Sequence, residues 1–575
     1  MDPRSVAHAL SQISEFLELH EANRFKSAAY RNAARAILGV QTDDLGPALR
    51  SGELAALKGI GPATLSTIRE LVESGESRYL EQLRSETPDG LIAMLRIPGL
   101  GSAKIQAIHK GLGVSTVDEL EQAALSGRLA TLPRFGSGTA AKILKGIAYL
   151  RETGAYILYP RALAESERLL AAVRQHAGVA RAEIAGSVRR RVEVVRDIDI
   201  VAACPESPAA VAADFASAPG VREAKGSDGT IVIRYVDGTV LHLHCVTPDH
   251  FAIALWRATG SETHEREVVA RAAERGLRFA NDELRNAAGE RIPVADEHAL
   301  YDAVGLEYIE PELREGLGEI AAASAHTLPS LIAVGDVKGV LHCHSRYSDG
   351  KATIAEMAAA ALAMGWSYIG ITDHSQSAFY AGGLKPDEVL AQHEEIDRLN
   401  AAGTGVRVFK GVEADILVDG RIDYEPELLD RFDFVLASVH SRFSLDGAKM
   451  TERVLRALDD PHVTILGHPT GRLLLSREGY ALDMPAVLAK AGERGVSVEI
   501  NADPHRLDLD WRNCQLAKSV GCSFEIGPDA HSTNGLANMA FGVGIARKGW
   551  LEATDVINAK SAREIAEHFQ KRRQR

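Results

Sequence analysis

Cysteine is scarce in this chain, which has 5 such residues among 575. They form no C-x-x-C pair, and their number is odd and their spacing irregular. We therefore expect no disulfide framework, which is consistent with a reducing compartment. A charged-then-apolar leader and a long uncharged apolar run are also missing, so we expect a cytoplasmic protein with no membrane partner. Apolar residues make up 46% of the chain, and the length predicts about three to five folding units.

An excess of positive charge is missing as well, since the formal net charge is −13. Residues 1–150 carry 17 Lys and Arg against 16 Asp and Glu, so the acidic excess lies further along the chain. Carboxylates that bind metal ions would be part of that excess. The net charge therefore does not exclude a nucleic-acid partner, and only the sequence motifs can indicate whether the protein binds one.

The predicted secondary structure changes twice along the chain. Residues 1–150 predict short helices separated by glycine-containing turns. After residue 155, apolar and alternating runs predict strands, followed by a helical stretch at about Phe251–Arg278 and a polar linker over Glu310–Lys338. From there to the end, short apolar strands alternate with Ala-rich helices, which predicts a parallel sheet or barrel. The strands predicted in this last part are Val340–Cys343, Tyr368–Thr372, Val435–Val439, Val463–Gly467, Val496–Asn501 and Ser523–Ile526.

One repeat stands out in the helical part. Residues 57–61, 97–101 and 132–136 each combine an apolar residue with glycine just before a predicted helix, as in a helix-hairpin-helix. Such glycines allow a tight turn and expose backbone amides at a helix N-terminus, where a DNA phosphate can bind without sequence reading. An ordinary turn would explain one copy, but two clean copies and a degraded third, with Arg134 in place of its first glycine, favour DNA binding. The predicted contact residues are Gly59, Gly61, Gly99, Gly101 and Gly136.

Histidine and carboxylate residues recur where the C-terminal strands end. His342 and His344 lie two apart on a strand and so share one face. Strand ends meet on one face of a βα barrel, and this donor chemistry suits zinc, manganese or iron. A single histidine of this kind would more often be a core or surface residue, but nine donors at strand ends make that interpretation improbable. The nine are His342, His344, Asp349, His374, Glu413, His440, His468, Asp529 and His531.

With these residues, segment 336–575 resembles a PHP domain (polymerase and histidinol phosphatase). The resemblance implies a distorted (β/α)7 barrel that holds up to three ions, Mn²⁺ or Zn²⁺, through these nine ligands. It implies hydrolysis of phosphate esters by a metal-bound water, and in bacterial proteins of this type a 3′→5′ exonuclease, sometimes with abasic-site or 3′-phosphate processing. Arg506 resembles a family residue near the substrate phosphate, although a surface charge would also explain it.

A second signature lies in the middle of the chain. Gly186-Ser187-Val188-Arg189-Arg190 precedes Asp197-Ile198-Asp199, and two aspartates two apart on a strand could hold two divalent ions for nucleotidyl transfer. Together with the hairpin repeats, residues 1–320 resemble family X DNA polymerases, with lyase-like domain, fingers, palm and thumb. The resemblance implies DNA and dNTP as substrates and Mg²⁺ or Mn²⁺ in the palm. It places Asp197 and Asp199 as catalytic ligands, and Ser187, Arg189 and Arg190 at the triphosphate.

The polymerase-like part departs from the family pattern at several positions. The family's third catalytic aspartate aligns with His242. An alignment shifted by one strand would make Asp237 or Asp249 the candidate instead, but both lie outside the strand pattern. A neutral imidazole removes negative charge from the site and tolerates manganese better than magnesium. We therefore expect polymerase activity to be weak, manganese-dependent or absent. The other departures near this site are Arg196, Arg257-Ala258 and Glu265. Thr67 takes the place of the lyase lysine, so we also expect lyase activity by a Schiff base to be lost.

The predicted fold class is multidomain. It combines α-helical helix-hairpin-helix N-terminal domains, an α+β nucleotidyltransferase palm and thumb, and the C-terminal α/β PHP barrel. The predicted boundaries are 1–85 for the lyase-like domain, 86–152 for the fingers, 153–248 for the palm, 249–320 for the thumb, 321–337 for a linker and 338–575 for the PHP domain.

The leading functional hypothesis is a monomeric repair enzyme that trims DNA 3′ ends at gaps or nicks. One alternative is a fully competent gap-filling polymerase with proofreading, and another is a non-catalytic DNA-binding scaffold. A small-molecule phosphatase of the histidinol phosphate type is a third alternative, but it would need neither the hairpin repeats nor the palm signature.

Overall fold

A computed structural model describes residues 1–20, 24–40, 42, 44–95, 97, 99–133, 135–154 and 156–574. Pro98 and Arg134, in the second and third predicted hairpins, lie outside the described residues. The chain divides into two compact units. One contains Met1–Ile157, Leu169–Glu183 and Arg196–Pro248, and the other contains Leu158–Arg168, Ile184–Val195 and Asp249–Arg575. No helix in the described part of the chain is long and apolar enough to cross a membrane.

The N-terminal part of the first unit is helical, as predicted. Its longest helices each bury one apolar stripe, such as the one that carries Leu10 and Ile13, both without solvent exposure. Burial of such stripes drives the helices together. The α-helices are Pro3–Leu19, Arg24–Leu38, Gly46–Ser51, Glu53–Ala56, Pro62–Ser74, Arg78–Glu86, Asp89–Leu95, Ser102–Leu112, Val117–Leu125 and Ser137–Thr153.

A mixed five-stranded sheet follows in the chain, with helix Pro208–Ala216 beside it. Strand Ile198–Ala203, which begins one residue after Asp197, runs parallel to strand Val240–Val246. Strand Val240–Val246 is antiparallel to Thr230–Tyr235 on its other side, and Thr230–Tyr235 is antiparallel to Val221–Ser227. In order across the sheet, the strands are Arg181–Ile184, Ile198–Ala203, Val240–Val246, Thr230–Tyr235 and Val221–Ser227.

The helical stretch predicted at about Phe251–Arg278 is helical as far as Glu274, but it is divided in two. The structure has two helices, Phe251–Thr259 and Glu262–Glu274, and a strand at Arg278–Ala280. Gly260 is extended, and the Ser261 side chain accepts a hydrogen bond from the His264 amide (3.2 Å), which caps the second helix. A serine cap starts a new helix at this position and so ends the first one. The strand pairs with Glu283–Arg285, which pairs with Arg291–Ile292.

The segment expected to be a polar linker over Glu310–Lys338 is also different in the structure. It contains a 3₁₀ turn, Pro311–Leu313, and a helix, Glu319–Ala325. Arg314 is fully buried and pairs with Glu297, and its Nε donates to the Ile309 carbonyl (2.9 Å). The polarity of the segment belongs to buried ion pairs, which composition alone cannot distinguish from solvated charge.

The C-terminal part contains seven parallel strands in chain order, each hydrogen-bonded to the next. After the last strand, Cys343 and Ala530 form a parallel bridge, so the first and last strands approach each other and nearly close a barrel. The apolar strand interiors form the core, together with the helices between the strands. The strands are Gly339–Val340, Tyr368–Ile371, Arg407–Asp415, Phe434–Ser438, Val463–Leu466, Ser497–Asn501 and Phe524–Gly527.

Helices connect these strands, and several begin at a side-chain cap. Thr353, for example, accepts from the Glu356 amide, while Glu356 binds back to the Thr353 amide. This reciprocal arrangement satisfies two amides at the start of the helix. The helical fingers, mixed sheet and parallel barrel confirm the predicted fold class. The main barrel helices are Ile354–Ala363, Pro386–Ala402, Gly447–Leu458, Met484–Arg494, Trp511–Ser519, Met539–Lys548 and Ala562–Arg573.

Candidate active sites

The nine predicted donors of the C-terminal half lie together at the carboxyl ends of the barrel strands. Glu413 is at the centre of the cluster and is 1% exposed. Its carboxylate lies 2.8 Å from His468 Nε2, 3.1 Å from His440 Nε2 and 3.1 Å from His374 Nδ1. One carboxylate therefore holds histidines that come from three different strand ends.

Two aspartates complete the cluster. Asp529 lies 3.1 Å from His344 Nε2 and 3.5 Å from His342 Nε2. Asp349 lies 3.3 Å from His531 Nε2, and His344 and His374 are each 3.8 Å from it. Asp529 itself has a positive φ of 50°, a conformation that is costly outside glycine and is often retained at functional sites.

Three overlapping groups in this cluster have donor atoms within 4.8 Å of one another, the spacing that a metal ion needs. All such groups found among the described residues belong to this cluster. Together they contain eight of the nine predicted ligands, and the ninth, His468, contacts Glu413 instead. The groups are His344, Asp349, His374 and His531; His342, His344 and Asp529; and His374, Glu413 and His440.

Several imidazole nitrogens in the cluster have no hydrogen-bond partner among the described residues. They are buried, and include His342 Nε2, His344 Nδ1 and His374 Nδ1. Each of these three atoms lies near a carboxylate of the cluster. Leaving a buried polar atom unpaired is costly, whereas coordination to a cation would satisfy it. The residues present therefore fit a group of divalent metal ions.

The electrostatics of the cluster separate its histidines into two kinds. Burial lowers the pKa of His374 to about 4 and that of His468 to about 3. Burial acts in the same direction on His440 and His531, but neighbouring carboxylates outweigh it and raise the pKa of each to about 9. Glu413 is also buried, yet the histidines around it hold its pKa well below the ordinary value. The carboxylates of the cluster therefore favour the cationic form of His440 and His531 but not that of His374 and His468.

Two carboxylates support the ligands from behind. Glu499, on strand Ser497–Asn501, lies 2.5 Å from His342 Nδ1. Asp415 lies 2.6 Å from His440 Nδ1. Such partners fix the orientation of an imidazole and increase its basicity. Asp415 was missed in the sequence, although it stands two residues after Glu413 on one strand and therefore shares its face.

Asp373 and Arg506 have different surroundings. Asp373 accepts hydrogen bonds from the Ser345 amide (2.7 Å) and from Gln392 (2.6 Å), so it holds the loop after the first strand. Arg506 Nε lies 3.6 Å from Asp529, and its side chain is 18% exposed. A partly exposed guanidinium beside the cluster is positioned to meet an anionic substrate, and its role there stays a prediction.

In the first unit, Asp197 and Asp199 stand at the start of strand Ile198–Ala203, as predicted. The parallel register places His242 directly opposite Asp199, with His242 Nδ1 3.5 Å from Asp199 and Nε2 3.9 Å from Asp197. His244, which the sequence analysis did not single out, shares that face, with its Nε2 3.7 Å from Asp199. Two carboxylates thus face two imidazoles.

This composition changes the charge of the palm site. Burial raises the pKa of Asp197, and Asp199 adds to the shift. Burial acts on Asp199 too, but His242 and His244 outweigh it and keep the pKa of Asp199 below its ordinary value. The contact with Asp199 raises the pKa of His242, which favours its cationic form. An additional positive charge weakens the attraction for two divalent ions.

The residues predicted to meet the triphosphate lie in the second unit, on and just after a short helix, Gly186–Arg189. Ser187 Oγ is buried without a hydrogen-bond partner among the described residues. Arg189 lies 2.5 Å from Glu297, and Arg190 Nε lies 2.9 Å from Glu315. Both guanidinium groups are therefore already engaged by carboxylates, and nucleotide binding by these three residues stays a prediction.

Two departures from the family pattern compensate each other in the thumb-like region. Arg257 Nε donates to Glu265 at 2.8 Å, and Arg257 also pairs with Asp282. His264 is fully buried between Glu319 and Tyr301, each 2.8 Å away. Arg257 and Glu265, the two residues that depart from the family pattern, thus form an ion pair with each other, which is a structural role.

The loop that follows the arginines is held by side chains of the barrel. Glu193 is 3% exposed and accepts hydrogen bonds from Trp511 Nε1 (2.9 Å) and Arg512 (2.7 Å). Arg472 lies 3.6 Å away on the same carboxylate. Burial would raise the pKa of Glu193, but Arg512 and Arg472 lower it below its ordinary value. We call these four residues the Glu193 clamp. Glu315 similarly pairs with both Arg190 and Lys548.

The hairpin glycines occupy the predicted positions. Gly59 and Gly99 have positive φ values of 106° and 77°, and Gly61, Gly101 and Gly136 each precede the first residue of a helix. No atom lies within 4 Å of a Cβ added at these last three glycines, so the helix N-termini are open. At the lyase position, the Thr67 hydroxyl lies 3.1 Å from that of Tyr30 and offers no amine.

Fold and sites together define a polymerase-type module joined to a PHP-type phosphoesterase barrel. Four family models match the chain: a helix-hairpin-helix domain over residues 1–77, a SAM-like helix-hairpin-helix tandem over 91–148, the DNA polymerase beta thumb over 254–315 and the PHP domain over 341–502.

A curated relative from Bacillus subtilis (strain 168), named DNA polymerase/3'-5' exonuclease PolX, is 35% identical over 576 residues, covering 100% of both chains. A probable phosphatase from Syntrophotalea carbinolica is 27% identical over 38% of this chain and 90% of its own. Another, from Caldanaerobacter subterraneus subsp. tengcongensis, is 32% identical over 31% of this chain and 70% of its own. The chain therefore belongs to the PolX family, the family X DNA polymerases that carry a PHP domain, and it is an enzyme, as predicted.

Proposed function

We propose that this chain is a repair enzyme whose barrel site removes nucleotides from DNA 3′ ends, while its palm adds nucleotides weakly and prefers Mn²⁺. The observation that carries the proposal is the largely buried cluster of six histidines and three carboxylates at one end of the barrel. The substrate class follows from the family and from the open hairpin turns, which suit DNA phosphates.

The residues of the cluster have separate tasks. The three groups of donors would hold up to three divalent ions, Mn²⁺ or Zn²⁺, and Glu499 and Asp415 keep two of the imidazoles in a fixed orientation. Bound ions of this kind generate hydroxide from water near neutral pH and stabilise charge on phosphate oxygens. Arg506 would bind the substrate phosphate from the side of Asp529.

The palm would contribute less chemistry. Asp197 and Asp199 would be the two carboxylates that bind Mg²⁺ or Mn²⁺, but His242 and His244 lie beside Asp199, where further negative charge would help. The expected products are short extensions on gapped or nicked DNA with dNTP, mainly with manganese. A fully competent gap-filling polymerase remains the second candidate, because both aspartates are present.

A labelled primer–template tests this function with Mn²⁺ or Mg²⁺, with and without dNTP. The wild type is compared with the double variant His344→Ala/Asp529→Ala and with His462→Ala. His462 is the matched control, because it pairs with Asp460 and Asp430 outside the cluster. We expect primer shortening that disappears in the double variant and persists in His462→Ala.

Two other outcomes decide against the proposal. Strong Mg²⁺-dependent extension by the double variant would identify a competent polymerase despite His242. Neither shortening nor extension with any metal would leave a DNA-binding scaffold.

A further inference from the structure

Two aromatic side chains lie exposed beside the barrel cluster. Phe379 is 85% exposed and Tyr380 is 62% exposed. Among the described residues of 249–574, they are the only aromatic side chains exposed to this extent. Exposed rings forgo the free energy of burial, and an adjacent pair of them marks a binding surface more often than an isolated apolar residue does.

The position of the pair points to the ligand. The Tyr380 ring centroid lies 6.4 Å from that of His374 and 6.4 Å from that of His440, both in the predicted metal cluster. Phe379 and Tyr380 meet edge to face, with their centroids 6.2 Å apart and their planes at 77°. They therefore offer two differently oriented faces directly next to the site where a phosphodiester would be cleaved.

The turn that carries the rings is anchored at both ends. It starts at His374, and the Leu384 amide returns to donate to the His374 carbonyl at 2.9 Å. Inside the turn, Ala378 is fully buried, and the Gly383 amide donates to its carbonyl at 3.1 Å. A Cβ on Gly383 would lie 2.0 Å from the Ser375 carbonyl oxygen, so the closure is tight. Because the backbone is fixed, the rings are presented in a defined position.

We propose that Phe379 and Tyr380 form a stacking platform for the unpaired base of the 3′-terminal nucleotide. The proposal rests on the proposed exonuclease function and specifies its substrate as a frayed or single-stranded 3′ end. Stacking on an aromatic face suits every base, so it would give affinity without sequence preference. A phosphate at the cluster and a base on the rings would be two parts of one nucleotide.

The test compares two single-stranded oligonucleotides, one with a normal 3′-terminal nucleotide and one whose terminal nucleotide lacks its base. The kcat/KM of shortening is measured for the wild type, Phe379→Ala, Phe379→Leu and Phe379→Trp. Leu362→Ala is the control, because Leu362 is also exposed (47%) but lies on an outer helix of the barrel.

For Phe379→Ala we expect a loss of about 5- to 150-fold on the normal end, the range of base–aromatic stacking. On the abasic end, the kcat/KM of this variant should equal that of the wild type. On the normal end, Phe379→Trp should keep the wild-type kcat/KM, whereas Phe379→Leu should not. Equal losses on both ends, no loss on the normal end, or rescue by Leu would overturn the platform. Absence of shortening by the wild type would instead overturn the proposed exonuclease function, and this proposal with it.

Discussion

In the barrel, six histidines and three carboxylates surround a common point, whereas in the five-stranded sheet two aspartates share their edge with two histidines. The first arrangement has ligands from several strand ends and carboxylates that orient them. In the second arrangement, each aspartate lies next to a histidine: Asp197 next to His242, and Asp199 next to both His242 and His244. A metal site therefore depends on how many ligand groups lie close together and on the carboxylates that orient them, as well as on a motif such as D-x-D.

The largest effect is expected at the centre of the barrel cluster. Glu413→Gln keeps the size of the side chain but removes the charge that five histidines contact. We expect 3′ shortening to fall by more than about 100-fold, beyond the loss from a supporting partner, with fewer ions per chain by elemental analysis. Full metal content with unchanged shortening would show that Glu413 is no ligand. His462→Ala serves again as the control.

A smaller effect is expected one step behind the ligands. Asp415→Asn leaves every predicted ligand in place but weakens the orientation of His440. Loss of such a partner costs about 10- to 100-fold in activity or metal affinity. The manganese concentration for half-maximal shortening should rise accordingly. If it does not move, Asp415 only fills space in the core.

The palm offers the opposite test, a gain of function. His242→Asp replaces the imidazole opposite Asp199 with the missing carboxylate. We expect Mg²⁺-supported primer extension to increase by about tenfold or more, which corresponds to about 1.4 kcal/mol of transition-state stabilisation. His242→Asn is the matched neutral control and should not gain. An equal gain in both variants would show that removal of the imidazole, rather than added charge, is what matters.

The smallest effect is expected at the second hairpin, on which both activities would depend. Gly101→Asp fits the open N-cap position, where Asp also stabilises a helix, but its charge repels a DNA phosphate. Compared with Gly101→Asn, which caps equally well, DNA affinity should fall roughly two- to fivefold at low salt, the scale of an exposed charge pair. Fluorescence anisotropy over a salt series measures this difference, which should shrink as salt screens the charge. A difference that is independent of salt would argue against a phosphate contact.

Most strand ends of the barrel could be predicted because a histidine or carboxylate donor lies at or just after them, and the spacing of two between His342 and His344 is that of one strand face. Strand Ser497–Asn501 carries none of the nine donors. Strand Arg407–Asp415 was not among the predicted strands, although Glu413 on it was singled out. The helix break at Ser261 and the buried Arg314 were missed, since a single serine cap and a buried ion pair leave little trace in composition. Phe379 could not be interpreted at all, because nothing in a sequence distinguishes an exposed phenylalanine from a core one.

The Glu193 clamp has a consequence for how the two activities can be dissected. Cutting the chain before the barrel would remove Trp511, Arg512 and Arg472 together, and would also take Lys548 from Glu315. The buried Glu193 carboxylate would then face solvent without its cations, and Glu315 would keep only Arg190. A truncated polymerase half would therefore report on a rearranged loop rather than on the palm of the intact enzyme. Nuclease-silent point variants of the full chain are the cleaner reagent for assigning either reaction.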